Sequence, residues 1–426
     1  MDIKTNEIKK EKVLLAGVHR GLKNQIEDTT EESMHELYEL AKTAGAEVVA
    51  QVIQNKADLE NGTYMGEGKL EEIANAIKEL SVDFVVFDDE LTPVQIRNIT
   101  DILGVKVLDR SMLILDIFAM RAKSGEGKLQ VELAQLKYRL PRLRGMGTQM
   151  SRTGGGIGTR GPGETKLESD RRHIHKRIQA LTEELEELKK HRELLRGRRK
   201  KDGVITVALV GYTNAGKSTL LNALTDAEVF AEDKLFATLD PTSRALELED
   251  SRKILLVDTV GFIRKLPHHL VEAFKSTLEE AVIADVLVHV VDVSNEEYEN
   301  QITVVDEVLK DIGAVGKPEV MVYNKCDKNG EPDILEKREG SVNVCISAKY
   351  KKGLDGLLKA IAEQAPGKKE QITICIPYNE GAIVNELHET QKVLESEYTQ
   401  DGTKMVLLAD RITYDKLRKY IVQGGD

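Results

Sequence analysis

A short apolar run that ends in a phosphate-binding loop constrains this chain more than any other feature. Ile205 to Val210 reads as a buried strand and runs straight into Gly211-Tyr212-Thr213-Asn214-Ala215-Gly216-Lys217-Ser218, with a helical stretch from Thr219 to Leu224 behind it. This is the pattern of a P-loop, in the strand–loop–helix setting that such a loop needs. Its glycines let backbone N–H groups turn inward around phosphates. Lys217 is placed to reach the β- and γ-phosphates, and the Ser218 hydroxyl to ligate Mg²⁺. Ligands of open α/β sheets sit at the C-terminal ends of the strands, so the expected fold class is α/β with a parallel sheet.

Further motifs follow in an order that fits that sheet. Ile254 to Val257 is a second buried strand, ending at Asp258-Thr259-Val260-Gly261. A carboxylate at a strand end can hold a Mg²⁺ shell, and Gly261 lets its amide approach a γ-phosphate. Between the two strands lies Phe236-Ala237-Thr238-Leu239-Asp240. A loop threonine here can supply a second Mg²⁺ ligand; Thr238 and Thr242 are rivals that spacing does not separate. Glu319 to Tyr323 delivers Asn324-Lys325-Cys326-Asp327. A carboxylate accepting two N–H groups from a base edge selects guanine, and the stem of Lys325 can lie along the ring. Val342 to Ile346 leads to Ser347-Ala348-Lys349, whose backbone amides can meet the guanine oxygen. Together these predict a site for GTP and GDP. Its candidate catalytic residues are Lys217, Thr238 and Gly261, and its candidate metal ligands Ser218, Thr238 and Asp258.

Upstream, apolar segments alternate between strand and helix character. Strands are expected at Val13 to Val18, Ala46 to Ile53, Phe84 to Phe87 and Lys106 to Leu108. Helices are expected at Glu31 to Thr43, Leu70 to Leu80 and Pro93 to Leu103. The alternation implies a second parallel α/β unit. Two helices come next, about Lys128 to Leu140 and Ser169 to Arg196. The second carries Ile174, Ile178, Leu181, Leu185, Leu188 and Leu195 as a heptad seam, so the pair is expected to form an antiparallel hairpin. The last stretch reads as strand, helix, strand, strand, helix. The expected domains are therefore 1–125, an N-terminal α/β domain; 126–202, the hairpin; 203–366, the nucleotide-binding domain; and 367–426, a small α/β domain.

Charge sharpens the reading of the hairpin. The chain has 426 residues and a formal net charge of −11, yet Leu133 to Gly163 contains no Asp or Glu and carries Lys137, Arg139, Arg142, Arg144, Arg152 and Arg160. Excluding acids from one glycine-rich segment of an acidic chain points to a polyanion, and RNA contact at the hairpin tip is the expectation. Arg196 to Lys201 adds a basic junction. Aromatic residues make up 4% and Trp is absent, which argues against a base-stacking RNA-binding sheet. The 41% hydrophobic content excludes disorder over the whole length. No membrane span is expected, because the run Met112 to Met120 is interrupted by Asp116, and Met1 to Lys12 lacks the apolar core of a secretion signal. Cys326, Cys345 and Cys375 form neither a disulfide framework nor a zinc spacing, so a cytoplasmic location is expected.

From Val204 to Pro366 the chain resembles the translation-factor-like class of GTPases. Phe262 stands where the small GTPases of that class place a water-orienting glutamine; a phenyl ring cannot polarise water, so slow basal hydrolysis is expected. In GTPases with an asparagine at the position of Asn214, a bound K⁺ often supplies charge between the phosphates, which makes Asn214 a candidate K⁺ ligand. Arg160 to Glu168, Phe236 to Thr242 and Asp258 to Arg264 narrow the resemblance to the HflX family, over nearly the whole length. That resemblance implies a ribosome-associated GTPase that binds the large (50S) ribosomal subunit and its rRNA, with some members splitting ribosomes under stress; separately, with no signal for an oligomer, a monomer is expected. Some members are also reported to bind ATP in the N-terminal domain, but Gly62 to Gly68 lacks the lysine of a P-loop. The alternatives are a nucleotide-gated protein–protein regulator acting through the heptad helix, and an RNA-processing GTPase.

Overall fold

The computed structural model describes residues 10–21, 30–143, 162–201, 203–225, 235–267, 270, 275–329, 341–367, 370–409 and 411–422. In chain order the first elements are β1 (Lys12–His19), α1 (Thr30–Thr43), β2 (Glu47–Asn55), α2 (Glu67–Leu80), β3 (Phe84–Phe87), α3 (Pro93–Leu103), β4 (Lys106–Asp109) and α4 (Arg110–Arg121). The strands pair in parallel in the order β2-β1-β3-β4. β3, Phe-Val-Val-Phe, is buried along its whole length, because helices cover both faces of the sheet. α3 occupies the expected range because its boundaries are local. Thr92 and Gln95 form a capping box, Pro93 takes the first turn, and Gly104 closes the helix in the left-handed region.

α4 has no counterpart among the expected elements. Asp109 ends β4 and caps α4 at once, accepting the Met112 N–H at 2.9 Å, so no turn residue separates strand from helix. The apolar run that begins at Met112 is therefore a helix of the core, with Leu113, Ile114, Ile117 and Phe118 buried. Asp109 is fully buried and also accepts from Leu91 N–H, Tyr138 and Arg142.

α5 (Gly125–Arg142) and α6 (Pro162–Lys201) form the antiparallel hairpin, tied by Arg177 to Glu132 midway along it and by Arg192 to Glu126 near its root. Leu181 is buried in the seam and Ile174, Ile178, Leu185 and Leu188 are half-buried, whereas Leu195 is 38% exposed and leaves it. Two cations of the expected basic surface are engaged inside the protein instead. Arg142 donates to the Leu91 carbonyl and to Asp109, and Arg196 pairs with Glu279 and Glu280. The tip, with Arg144, Arg152 and Arg160, lies outside the described residues.

The second sheet combines β5 (Ile205–Gly211), β6 (Thr242–Glu247), β7 (Lys253–Asp258), β8 (Val286–Asp292), β9 (Glu319–Asn324) and β10 (Ser341–Cys345) in the order β10-β9-β8-β5-β7-β6, parallel except for β6. Around it run α7 (Lys217–Thr225), α8 (Lys275–Ile283), α9 (Tyr298–Asp311), the single turn α10 (Cys326–Asn329) and α11 (Leu354–Gln364). A third, antiparallel sheet holds β11 (Glu370–Ile376), β12 (Lys392–Tyr398) and β13 (Thr403–Ala409), packed on α12 (Gly381–Thr390) and α13 (Arg411–Leu417).

The first two sheets share one continuous core. Met34, Leu37 and Phe118 belong to the same apolar cluster as Tyr212, Phe236, Val260 and Phe262. Charges line its edge: Arg264 pairs with Glu32, Lys265 with Asp88 and Asp89, and fully buried Arg110 lies between Asp88 and Glu36. Among the described residues, no helix is long and apolar enough to cross a membrane.

Candidate functional site

The cleft lies at the C-terminal ends of β5, β7 and β9. It is lined by Thr213, Asn214, Gly216, Lys217, Ser218, Thr219, Phe236, Ala237, Thr238, Thr259 and Gly261. β5 is apolar except for Thr206 and ends at Gly211; the chain then loops through Tyr212 to Gly216 and re-enters a helix at Lys217. Gly216 has φ +97°, and a Cβ there would meet Asn324 Nδ2 at 2.3 Å, so this turn admits only glycine. Gly261 approaches the loop from the other side: a Cβ would lie 2.8 Å from Thr213 Cα and 3.1 Å from Lys217 Nζ.

Lys217 is buried, and its ammonium donates to the carbonyls of Gly211 at 3.0 Å and Tyr212 at 2.8 Å. Burial pushes its pKa down to about 8, against the opposing pull of Asp258. The Ser218 hydroxyl donates to Asp258 Oδ2 at 2.6 Å and lies 2.8 Å from Thr238 Oγ1. Asp258 is fully buried, and burial raises its pKa although Lys217, Ser218 and Thr238 act the other way. Its second oxygen, Oδ1, has no hydrogen-bond partner among the described residues. Thr242 instead opens β6, paired in register with Asp258, so Thr238 is the threonine beside Ser218.

Asn324 ties the loops together. Its Nδ2 donates to the Ala215 carbonyl at 2.9 Å, and its Oδ1 accepts the Ala348 N–H at 3.0 Å. Lys325, at φ +66°, donates to the Asn214 carbonyl at 3.0 Å and to Asp292 at 2.6 Å. Asp327 is exposed and accepts the Ser347 hydroxyl at 2.5 Å, a bond that holds its carboxyl below the usual range. Lys349 is exposed on the same loop.

Other motif side chains turn away from the cleft. Leu239 and Val260 are core residues, Cys326 Sγ donates to the Tyr323 carbonyl, and the Thr259 hydroxyl donates to the Leu209 carbonyl. Tyr212 points its hydroxyl at Glu36, and its oxygen accepts the Arg264 N–H at 2.8 Å. Asp240 leaves the cleft for the start of α5. Phe262 is 1% exposed, with its backbone bridged to Tyr212 and Thr213. Residue spacing did not flag Asp292 or the upstream acids. For Asp292 a signal existed, since it ends the buried strand Val286 to Val291, apolar but for His289, as Asp258 ends its own strand.

Three family profiles match in sequence along the chain. They are described as GTP-binding GTPase N-terminal over residues 31–119, GTP-binding GTPase Middle Region over 121–199 and 50S ribosome-binding GTPase over 206–325. A curated relative from Caldanaerobacter subterraneus subsp. tengcongensis, GTPase HflX, is 54% identical over 92% of this chain and 91% of its own. A second GTPase HflX, from Lacrimispora saccharolytica, is 52% identical over 92% of each chain. The solved structure of a GTP-binding protein from Sulfolobus solfataricus in complex with GDP is 28% identical and covers 83% of this chain and 98% of its own, at a TM-score of 0.43. The curated relatives and the profile over 206–325 show the chain to be a GTPase, which binds GTP and hydrolyses it to GDP. With more than half of all positions shared over nine-tenths of both chains, this chain belongs to the HflX family of GTPases.

Proposed function

We propose that this GTPase is a nucleotide-gated factor of the large (50S) ribosomal subunit. GTP favours the bound state, with the hairpin tip against ribosomal RNA, and hydrolysis releases the factor. One observation carries this reading: the stretch 206–325, which contains the phosphate loop, Ser218, Thr238, Asp258 and Asn324, matches the profile described as a 50S ribosome-binding GTPase. Exposed Lys137 and Arg139 on α5, which lead toward the acid-free tip, supply the steering charge. The domain division 1–125, 126–202, 203–366 and 367–426 assigns the RNA contact to the second segment and the switch to the third. The partner implies a cytoplasmic location, we take the factor to act as a monomer, and the step we assign to the cycle is separation or recycling of ribosomes under stress.

Within the cleft, Lys217 meets the β- and γ-phosphates, and the amides of residues 213–217 and Gly261 surround them. Asp327 accepts the two N–H groups of guanine, and the loop at Ser347, Ala348 and Lys349 faces its oxygen. The orphaned Oδ1 of buried Asp258, together with the hydroxyls of Ser218 and Thr238, is a hard oxygen donor set that suits Mg²⁺. When bound, Mg²⁺ supplies charge neutralisation to the β- and γ-oxygens. Asn214 lines the same cleft beside the phosphate loop, and we assign it as a K⁺ ligand on that position alone. Phe262 is packed in the core and offers no polar group to the attacking water, so basal turnover is slow until a partner orders the site.

Sedimentation of the full chain with large subunits through a sucrose cushion tests the reading. Pelleting should depend on a non-hydrolysable GTP analogue and weaken as salt rises. Arg152→Ala or Arg160→Ala should weaken it and leave GDP affinity intact. Wild-type pelleting by both variants would remove RNA contact from the tip.

A further inference from the structure

The segment between Phe236 and Asp240 is held at three points. In its middle, Thr238 Oγ1 lies 2.8 Å from Ser218 Oγ in the nucleotide cleft. On one side, the buried ring of Phe236 packs edge-on against Phe118 of α4, with centroids 4.7 Å apart. Phe236 has φ +53°, a left-handed backbone that a bulky residue keeps only when its surroundings impose it. On the other side, Asp240 reaches the start of the hairpin. Its Oδ2 accepts the backbone N–H groups of Lys123 at 2.9 Å and Ser124 at 2.8 Å, and its Oδ1 accepts the Ser124 hydroxyl. Ser124 in turn caps α5 by accepting the Gly127 N–H at 2.8 Å. The cap of α5 is therefore composite, completed by a carboxylate from 116 residues downstream. The fit is tight: a Cβ on Gly127 would lie 2.2 Å from Asp240 Oδ1.

We propose that Asp240 is a positioning residue for GTP hydrolysis. By capping α5 it fixes the segment that carries Thr238 beside Ser218, so the root of the hairpin is a working part of the hydrolytic site. This rests on the reading of Thr238 given above. Linkage adds a reciprocal effect, since whatever holds Thr238 in place also strengthens the grip of Asp240 on α5. The nucleotide thereby acts on the helix that leads to the tip.

The test uses the full chain, with kcat and KM for GTP and Kd for GDP measured for four variants. Asp240→Ala should lower kcat about tenfold and change GDP affinity less than twofold, because GDP binding does not need Thr238. Gly127→Ala should do the same: alanine favours a helix more than glycine does, so a loss comes from displacing Asp240 and not from weakening α5. Asp240→Asn keeps an acceptor for the two N–H groups and should recover most of kcat. Wild-type kcat in both Asp240→Ala and Gly127→Ala would overturn the proposal, as would a loss of GDP affinity that matches the loss of kcat. Thr238→Ala separates the two readings. If it leaves kcat unchanged, the reading of Thr238 fails; if it abolishes turnover while Asp240→Ala does not, only the positioning role fails.

Discussion

Asn324 provides the sharpest single-residue test of how the cleft is built. It is 2% exposed and spans two loops, donating to the Ala215 carbonyl at 2.9 Å and accepting from the Ala348 N–H at 3.0 Å. Replacement by alanine leaves both backbone groups buried without their partner, at about 1–3 kcal/mol each. The arrangement of the phosphate loop and the guanine-side loop is then destabilised by about 2–6 kcal/mol. The first 1.4 kcal/mol of any such loss in the bound state is a tenfold rise in Kd. Asn324→Asp is the more telling change, because it keeps the acceptor for Ala348 but turns a second acceptor toward the Ala215 carbonyl. It should bind GDP no better than Asn324→Ala. Titration with a fluorescent GDP derivative, together with thermal unfolding, reads both effects. GDP affinity within twofold of wild type in Asn324→Asp would refute the reasoning.

Three further outcomes follow from the same geometry. Asp88→Ala removes the partner of buried Arg110 (Nη1 at 2.8 Å) and of Lys265, and should lower stability to urea by about 3–5 kcal/mol. Burial pushes the Asp88 carboxyl up, but Arg110 and Lys265 outweigh it and hold the group below its ordinary 3.8. Its stabilisation is therefore complete above that value and lost as pH falls through the lower folded-state pKa; unfolding followed from about pH 5 to pH 3 should slope less in Asp88→Ala than in wild type. Phe262→Gln, which places a glutamine where small GTPases carry one, should lower thermal stability by about 3 kcal/mol and bring no gain in kcat, since the side chain enters a packed core and not the cleft.

Local signals made much of the architecture legible. α3 carries its own capping box, N-terminal proline and closing glycine, and the phosphate loop carries its strand and helix with it. What escaped the sequence depends on partners far along the chain. Arg142 reads as a free cation until Asp109 and Leu91 are seen beside it. Arg264 and Lys265 meet Glu32 and Asp88 from 232 and 177 residues away, and no spacing rule reaches that far. α4 was hidden because Asp109 serves strand and helix together, leaving no turn residue to mark the change. Spacing also left Thr238 and Thr242 level, whereas the pairing of Thr242 with Asp258 across β6 and β7 places Thr238 beside Ser218.

Steady-state GTP hydrolysis by the full chain, in potassium salt with and without purified large ribosomal subunits, addresses the central claim most directly. Strong stimulation by the subunits, over a slow basal rate, is the result that this account predicts. A basal rate that the subunits leave unchanged would contradict it, leaving the GTPase intact and removing the ribosome as its trigger.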